Sequence, residues 1–123
     1  MNRTAQLARL LQVLGVESRV RIIQLLRNNG ALCVGALAAR LGISQSAVSQ
    51  HLRILRDTGL VLPERRGYYI HYSLSPRGLT DCRRRLLQLL DVPAHRDGDR
   101  CVRQKGGETA CALKRASVRS PKI

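Results

Sequence analysis

Phenylalanine and tryptophan are absent from this chain of 123 residues, and tyrosine occurs three times. A core without large aromatics has to be built from Leu, Ile, Val and Ala, which favours helices packed on helices with at most a small sheet. Long apolar runs are missing too. None approaches the roughly 18 residues of a membrane span, and the start, MNRTAQLARLLQ, lacks an apolar stretch followed by a small-residue cleavage site. These absences predict a cytoplasmic protein with no membrane partner, in which four cysteines stay reduced rather than forming a disulfide framework. Acidic residues are scarce: 8 Asp and Glu stand against 22 Lys and Arg, 19 of them Arg, for a net charge of +14. No paired carboxylates, Gly-rich phosphate loop or Ser-His-Asp pattern occurs, which argues against an enzyme. Such a positive balance calls for a polyanionic partner, most commonly nucleic acid.

What is present has a clear order. Leu7, Leu10, Leu11 and Leu14 fall at i, i+3, i+4 and i+7, a helical stripe over 6–14. The spacing predicts a second helix over 18–27, with Ser18 as N-cap, Ile22, Ile23, Leu25 and Leu26 inside, and NNG at 28–30 as its stop. A third follows from Val34 to Leu41, ended by Gly42. Ser44 then caps a helix that closes at Thr58-Gly59. In it Val48, Leu52 and Leu55 share one face, whereas Gln45, Ser46, Ser49, Gln50 and Arg53 share the other. That second face is polar and mostly uncharged, which suits hydrogen bonding to base edges; Arg53 can reach a guanine or a phosphate. A short helix, a glycine turn and a polar second helix make a helix-turn-helix.

The alternation Tyr68, Ile70, Tyr72, Leu74 against Tyr69, His71, Ser73 predicts a strand with one face buried, paired with a strand at 60–64. Arg65-Arg66-Gly67 would form the tip of this two-stranded wing, its arginines on the phosphate backbone or in a neighbouring minor groove. A last helix from Pro76 to Leu90 places Leu79, Cys82, Leu86 and Leu90 on one stripe, with Leu87 and Leu89 widening it. That surplus of leucine predicts a two-fold homodimer through the first and last helices, with two recognition helices roughly 34 Å apart. The expected organisation is therefore a mainly α winged helix-turn-helix with a small β-hairpin over 1–93. A basic tail follows over 94–123, expected to be mobile until a ligand ties it down.

LGVESRVRIIQLL at 14–26, LAARLGISQSAVSQHLRILRDTGLV at 37–61 and RRGYYIHYSL at 65–74 together resemble the ArsR/SmtB family of winged helix-turn-helix repressors. The resemblance covers residues 5–90. It implies a homodimer on a near-palindromic duplex operator, released by a metal ion, arsenite or antimonite, or an oxidant or sulfur species acting on cysteines. Two departures stand out. The position after Gly67, often basic in the family, is Tyr68. The last helix has Asp81 but no histidine, and Arg83, Arg84 and Arg85 would repel a dication, so the family's zinc site on that helix is set aside.

Where family soft-metal sensors carry Cys-Val-Cys-Asp-Leu, this chain reads Cys33-Val34-Gly35-Ala36-Leu37. The first thiol is kept at a helix start, where the macrodipole favours negative charge; the second is replaced by Gly35. Trivalent arsenic takes up to three thiolates in the chemistry of the family, and the expected site joins Cys33 to Cys101 and Cys111. The eight residues from Pro93 to Cys101 span up to roughly 27 Å when extended. As(III), Sb(III) or another thiophilic metal would then be the inducer, with no obligatory cofactor; the same thiols would serve a redox or persulfide switch. Cys82 reads as a core or interface residue. His51 reads as a packing or phosphate-contacting residue, His71 lies on the polar face of the wing strand, and His95 falls in the tail. A basic protein that binds nucleic acid without sequence preference would explain the charge but not the organised motif.

Overall fold

The computed structural model describes residues 2–93, and its elements lie in the unit Met1–Asp91. Helix α1, Arg3–Leu14, is capped by Asn2, whose side-chain oxygen accepts from the Ala5 amide at 2.7 Å. Helix α2 runs Glu17–Asn29 and differs from expectation at its start. The amides of Arg19 and Val20 both donate to the Val16 carbonyl at 3.0 and 3.1 Å. The first turn is thus already closed when the chain reaches Ser18, which lies inside the helix and caps nothing. Strand β1, Leu32–Cys33, leads into α3, Val34–Leu41, which ends at Gly42 with a φ of 70°. Ser44 caps α4, Gln45–Asp57, by accepting from the Ala47 amide at 3.1 Å.

The wing is a three-stranded antiparallel sheet in the order β1-β3-β2, with β2 spanning Val61–Arg66 and β3 Tyr69–Leu74. The sequence pattern alone predicts a two-stranded ribbon. Strand β1 is two residues long, too short to show any period in the sequence, yet Leu32 and Cys33 pair with Tyr72 and His71. The hairpin tip also moves. Arg65 and Arg66 lie in β2, Arg66 opposite Tyr69, and the loop is Gly67-Tyr68. Gly67 has a φ of 63° and no other described residue but glycine has a positive φ, the pattern of a type II′ turn with glycine first. Nor is one face of β3 buried along its length. Tyr69 and Ile70 are exposed and burial begins only at His71, because the outer half of the hairpin projects past the core. Pro63 is tolerated because β2 is an edge strand.

The core is aliphatic. Ile22, Leu37, Val48, Leu52, Leu55, Leu60 and Val61 are essentially inaccessible, and Leu10, Val13, Leu26, Ala38, Leu41 and Cys82 complete the cluster. Helix α5, Pro76–Leu90, starts with proline in its first turn and with Ser75 Oγ accepting from the Gly78 amide at 3.1 Å. It packs on the core through Leu79, Cys82 and Leu86, and beyond them Leu87, Leu89 and Leu90 are exposed. Among the described residues no helix is long and apolar enough to cross a membrane. The tail 94–123, with Cys101, Cys111 and His95, lies outside the described residues.

Helix α4 ends in a Schellman arrangement. The Gly59 amide donates to the Arg56 carbonyl and the Leu60 amide to the Leu55 carbonyl, each at 2.9 Å, while Leu55 and Leu60 bury their side chains together. The carbonyl thus left at Gly59 faces α5. A Cβ placed on Gly78 would stand 1.8 Å from the Gly59 oxygen. Gly35, in the first turn of α3, is the opposite case, since a Cβ there meets only Gln45 Nε2 at an ordinary 3.7 Å. Two helical Gly→Ala substitutions should therefore have opposite signs. Gly78→Ala should destabilise by about 2 kcal/mol or more, the size of an overpacking penalty, lowering Tm by roughly 10 °C. Gly35→Ala should stabilise by about 0.4–1 kcal/mol through the unfolded chain. Thermal melts of both variants test this, and equal shifts would refute the Gly59–Gly78 constraint.

Candidate nucleic-acid interface and thiol corner

Helix α4 divides as its sequence does. Val48, Leu52 and Leu55 have no exposed surface, while Gln45, Ser46, Ser49, Gln50 and Arg53 are all exposed. The division follows from the 3.6-residue period: three aliphatics spaced by four and three drive one side into the core, the five polar positions named turn outward, and His51 sits half-buried on the flank. The exposed set offers amide and hydroxyl groups that both donate and accept, plus one guanidinium. That chemistry matches base edges and phosphates; the one carboxylate on this side of the helix, Asp57, is its last residue.

The side of α4 is held by a residue that sequence reasoning missed. Arg19, on α2, donates from Nε to His51 Nδ1 at 3.3 Å and from Nη1 to the Val13 carbonyl at 3.3 Å. One guanidinium thus ties the end of α1 to the middle of α4. The bond requires a neutral His51 with Nδ1 free to accept. Burial first, and the Arg19 charge second, push the His51 imidazole below its ordinary value of 6.5. Nothing in the spacing of 19 and 51 signals this pair; only the packing of α2 on α4 brings them together.

Arg65 and Arg66 are exposed on the wing. Arg65 Nε donates to the Gly67 carbonyl at 3.4 Å, and Arg66 pairs with Glu64 at 3.2 Å. Both partners of the ion pair are more than half exposed, so it is weak and leaves Arg66 available to a phosphate. Every Lys in the chain lies at 105 or beyond, so arginine is the only strong base on the described surface. Its planar fork binds phosphate in bidentate fashion.

Cys33 is half-buried and is the residue from which α3 starts. The β1–β3 register sets it opposite His71, whose Nδ1 is buried with no hydrogen-bond partner among the described residues. Gly35, where the family motif has its second thiol, lies against the side chain of Gln45, the first residue of α4. Among the described residues no group of three His, Cys, Asp or Glu could hold a metal ion, and Cys101 and Cys111 fall outside them. Cys82 is buried; burial and then the Asp81 carboxylate push its thiol up, against a smaller pull from Arg85. It is therefore a poor thiolate donor. Asp81 itself is occupied by ion pairs with Arg84 and Arg85.

A sequence profile described as "Bacterial regulatory protein, arsR family" matches residues 17–62. The arsenical resistance operon repressor of Escherichia coli K12 is 43% identical over 67 residues, which span 54% of this chain and 57% of that protein, little more than half its length. The HTH-type transcriptional regulator CmtR of Mycobacterium tuberculosis H37Rv is 38% identical over 104 residues, 84% of this chain and 85% of the relative. Among solved structures, one titled a possible transcriptional regulator for arsenical resistance is 39% identical with a TM-score of 0.62, covering 67% of this chain and 84% of that one. The family and these relatives are transcriptional regulators, not enzymes.

The Arg19–His51 bond has a pH signature. Because the folded imidazole titrates below 6.5, the unfolded chain binds the proton first as the pH falls. The contribution is complete above pH 6.5 and is lost as the pH drops from there through the lowered folded value. Denaturant melts between pH 7.5 and 5 should show parent stability falling more steeply than that of His51→Gln, which keeps an acceptor but does not titrate. Parallel curves would show that the imidazole carries none of the dependence.

Proposed function

The chain belongs to the arsR family of bacterial regulatory proteins, and from that premise we propose that it is a dimeric, operator-binding transcriptional repressor released by a thiol-directed inducer. The observation that carries the DNA reading is the α4 surface. Gln45, Ser46, Ser49, Gln50 and Arg53 are exposed together, opposite a wholly buried aliphatic face, on the second helix of the α3-turn-α4 unit. They are the proposed base readers, and Arg65 and Arg66 the proposed backbone clamps. Exposed Leu87, Leu89 and Leu90 on α5, with Leu11 on α1, support pairing of two copies through those helices.

The proposed inducer is arsenite, antimonite or another thiophilic metal, bound by Cys33 with Cys101 and Cys111. The names of the E. coli repressor and of the solved structure, both concerned with arsenical resistance, support this choice. So does the position of Cys33, whose helix begins against Gln45. A ligand that gathers thiols at this corner pulls on the start of α3 and hence on the first residue of the recognition helix, which is the differential contact an inducer needs.

The test begins with duplexes enriched by the full chain from a randomised pool. An inverted repeat, with half-site centres one helical turn of about 10–10.5 bp or a multiple apart, is the expected product. Enrichment of nothing would leave a basic protein without sequence preference. On the enriched duplex, fluorescence anisotropy under reducing conditions should show release by arsenite that is lost in Cys33→Ser and in the Cys101→Ser, Cys111→Ser double variant. Release by an oxidant or persulfide donor alone would reassign the thiols to redox sensing. Gln50→Ala should cost about 1–3 kcal/mol on that duplex and relax preference at one position, while Arg65→Ala should weaken all duplexes alike.

A further inference from the structure

The wing ends in a side chain that nothing in the fold uses. Tyr68 is 98% exposed, and beside it Tyr69 and Ile70 are also largely exposed. Two of the three tyrosines in a chain without Phe or Trp therefore stand at the end of one hairpin. Core packing does not explain them, since an apolar ring in water stabilises nothing. The hairpin is also rigid enough to present them. Six consecutive β2–β3 pairs run from Val61↔Leu74 to Arg66↔Tyr69, and the Gly67-Tyr68 loop closes with the positive φ confined to glycine. The Arg65 Nε to Gly67 carbonyl bond braces the same loop. What the tip offers is one ring, mounted on a two-residue turn, with an arginine pair immediately behind it.

That shape selects its partner. A two-residue turn is too slight to fill the major groove, about 12 Å wide, but matches the minor groove at about 6 Å. Arginines at the base supply the charge that draws the tip to the backbone walls of a narrow groove, and a flat side chain at the apex is the kind of group that minor-groove binders insert. Resting on the reading that α4 docks to duplex DNA, we propose that Tyr68 enters the minor groove flanking each half-site and discriminates A·T from G·C there. The physical basis is the floor of the groove. A·T pairs present only acceptors, the adenine N3 and thymine O2, which a phenol hydroxyl can meet as donor while its ring lies along the groove. At G·C the guanine N2 amino group occupies that space. The arginines hold the wing on the backbone; the tyrosine adds a preference at base pairs that α4 does not touch.

Inosine provides the decisive probe, because replacing G·C by I·C removes the minor-groove amino group and leaves the major-groove face unchanged. With the duplex enriched by the full chain, the flanking pairs are set to A·T, G·C or I·C and affinities are read by anisotropy at one salt concentration. The parent should bind A·T and I·C flanks alike, and both about fivefold or more tighter than G·C flanks, the discrimination typical of one base pair. Tyr68→Ala should bind all three flanks equally while keeping its preference for the half-site core; its exposure makes a folding defect an unsuitable explanation, which a matching thermal melt checks. Tyr68→Phe separates ring from hydroxyl: retained discrimination assigns it to the ring's shape, and its loss assigns it to the hydroxyl, either supporting the groove contact. A Tyr68→Ala variant as sensitive to inosine as the parent overturns the proposal and leaves the DNA reading intact. A parent indifferent to flanks overturns it as well, and a chain that enriches no duplex removes both together.

Discussion

Two backbones touch where α4 ends and α5 begins, and the rest of the architecture is hung on that contact. Gly59 takes the left-handed conformation that closes the recognition helix, and its carbonyl reaches so near Gly78 that no side chain fits between them. One residue further on, the Leu60 carbonyl accepts from the Ser75 amide at 2.9 Å. Between these two points lies the whole β2–β3 hairpin. The wing is thus a loop whose base is pinned twice, with the recognition helix entering one side of the pin and α5 leaving the other. A change in the angle of α5 is felt directly at this junction, immediately past the end of α4. A hydrophobic contact would tolerate sliding; a backbone approach that excludes even a methyl group does not.

Charge is placed on this frame with some economy of means. On the exposed side of helix α4 the one carboxylate, Asp57, is confined to the last residue, and the wing has a single acidic residue, Glu64, already engaged by Arg66. Arg19 is the exception among the arginines discussed, because it faces inward and works as a hydrogen-bond donor. Its fork satisfies both a main-chain carbonyl and an imidazole, so one buried-side cation fixes α1, α2 and α4 at once. The cost falls on His51, which has to stay neutral. A residue inside the recognition helix is thereby committed to packing, and the reading surface is left to its exposed neighbours.

The helices were legible in the sequence because their signals are local. Leucine periodicity placed α1, α3, α4 and α5, and the buried trio Val48, Leu52, Leu55 followed from spacing alone. What failed was non-local or too short. Ser18 looks like a cap, but Val16 closes the first turn two residues earlier. Strand β1 has two residues, and only its partner β3 makes it a strand. The period-2 pattern of 68–74 correctly announced a strand yet mispredicted burial, since alternation reports which side a residue faces and not whether anything covers that side. The Arg19–His51 bond and the Cys33–His71 register join residues 32 and 38 positions apart, and no motif spans such distances.

Gly35 gathers these threads at the thiol corner. In place of a second thiol the chain has the one residue with no side chain, and the space is bounded by Gln45. Without that second thiol, a metal or metalloid bound at Cys33 would have to recruit its remaining ligands from elsewhere. That arrangement couples site and surface through few atoms. To lower operator affinity a hundredfold, an inducer has to favour the unbound arrangement by about 2.7 kcal/mol. In the proposed reading, losing one bidentate base contact of Gln45 would cost about 1–3 kcal/mol per subunit, so two subunits releasing together would lose about 2–6 kcal/mol, a range that spans the requirement without any large domain movement. In the proposed mechanism the switch therefore needs only a shift at the α3–α4 corner, while the Gly59–Gly78 pin holds the far end of the recognition helix still.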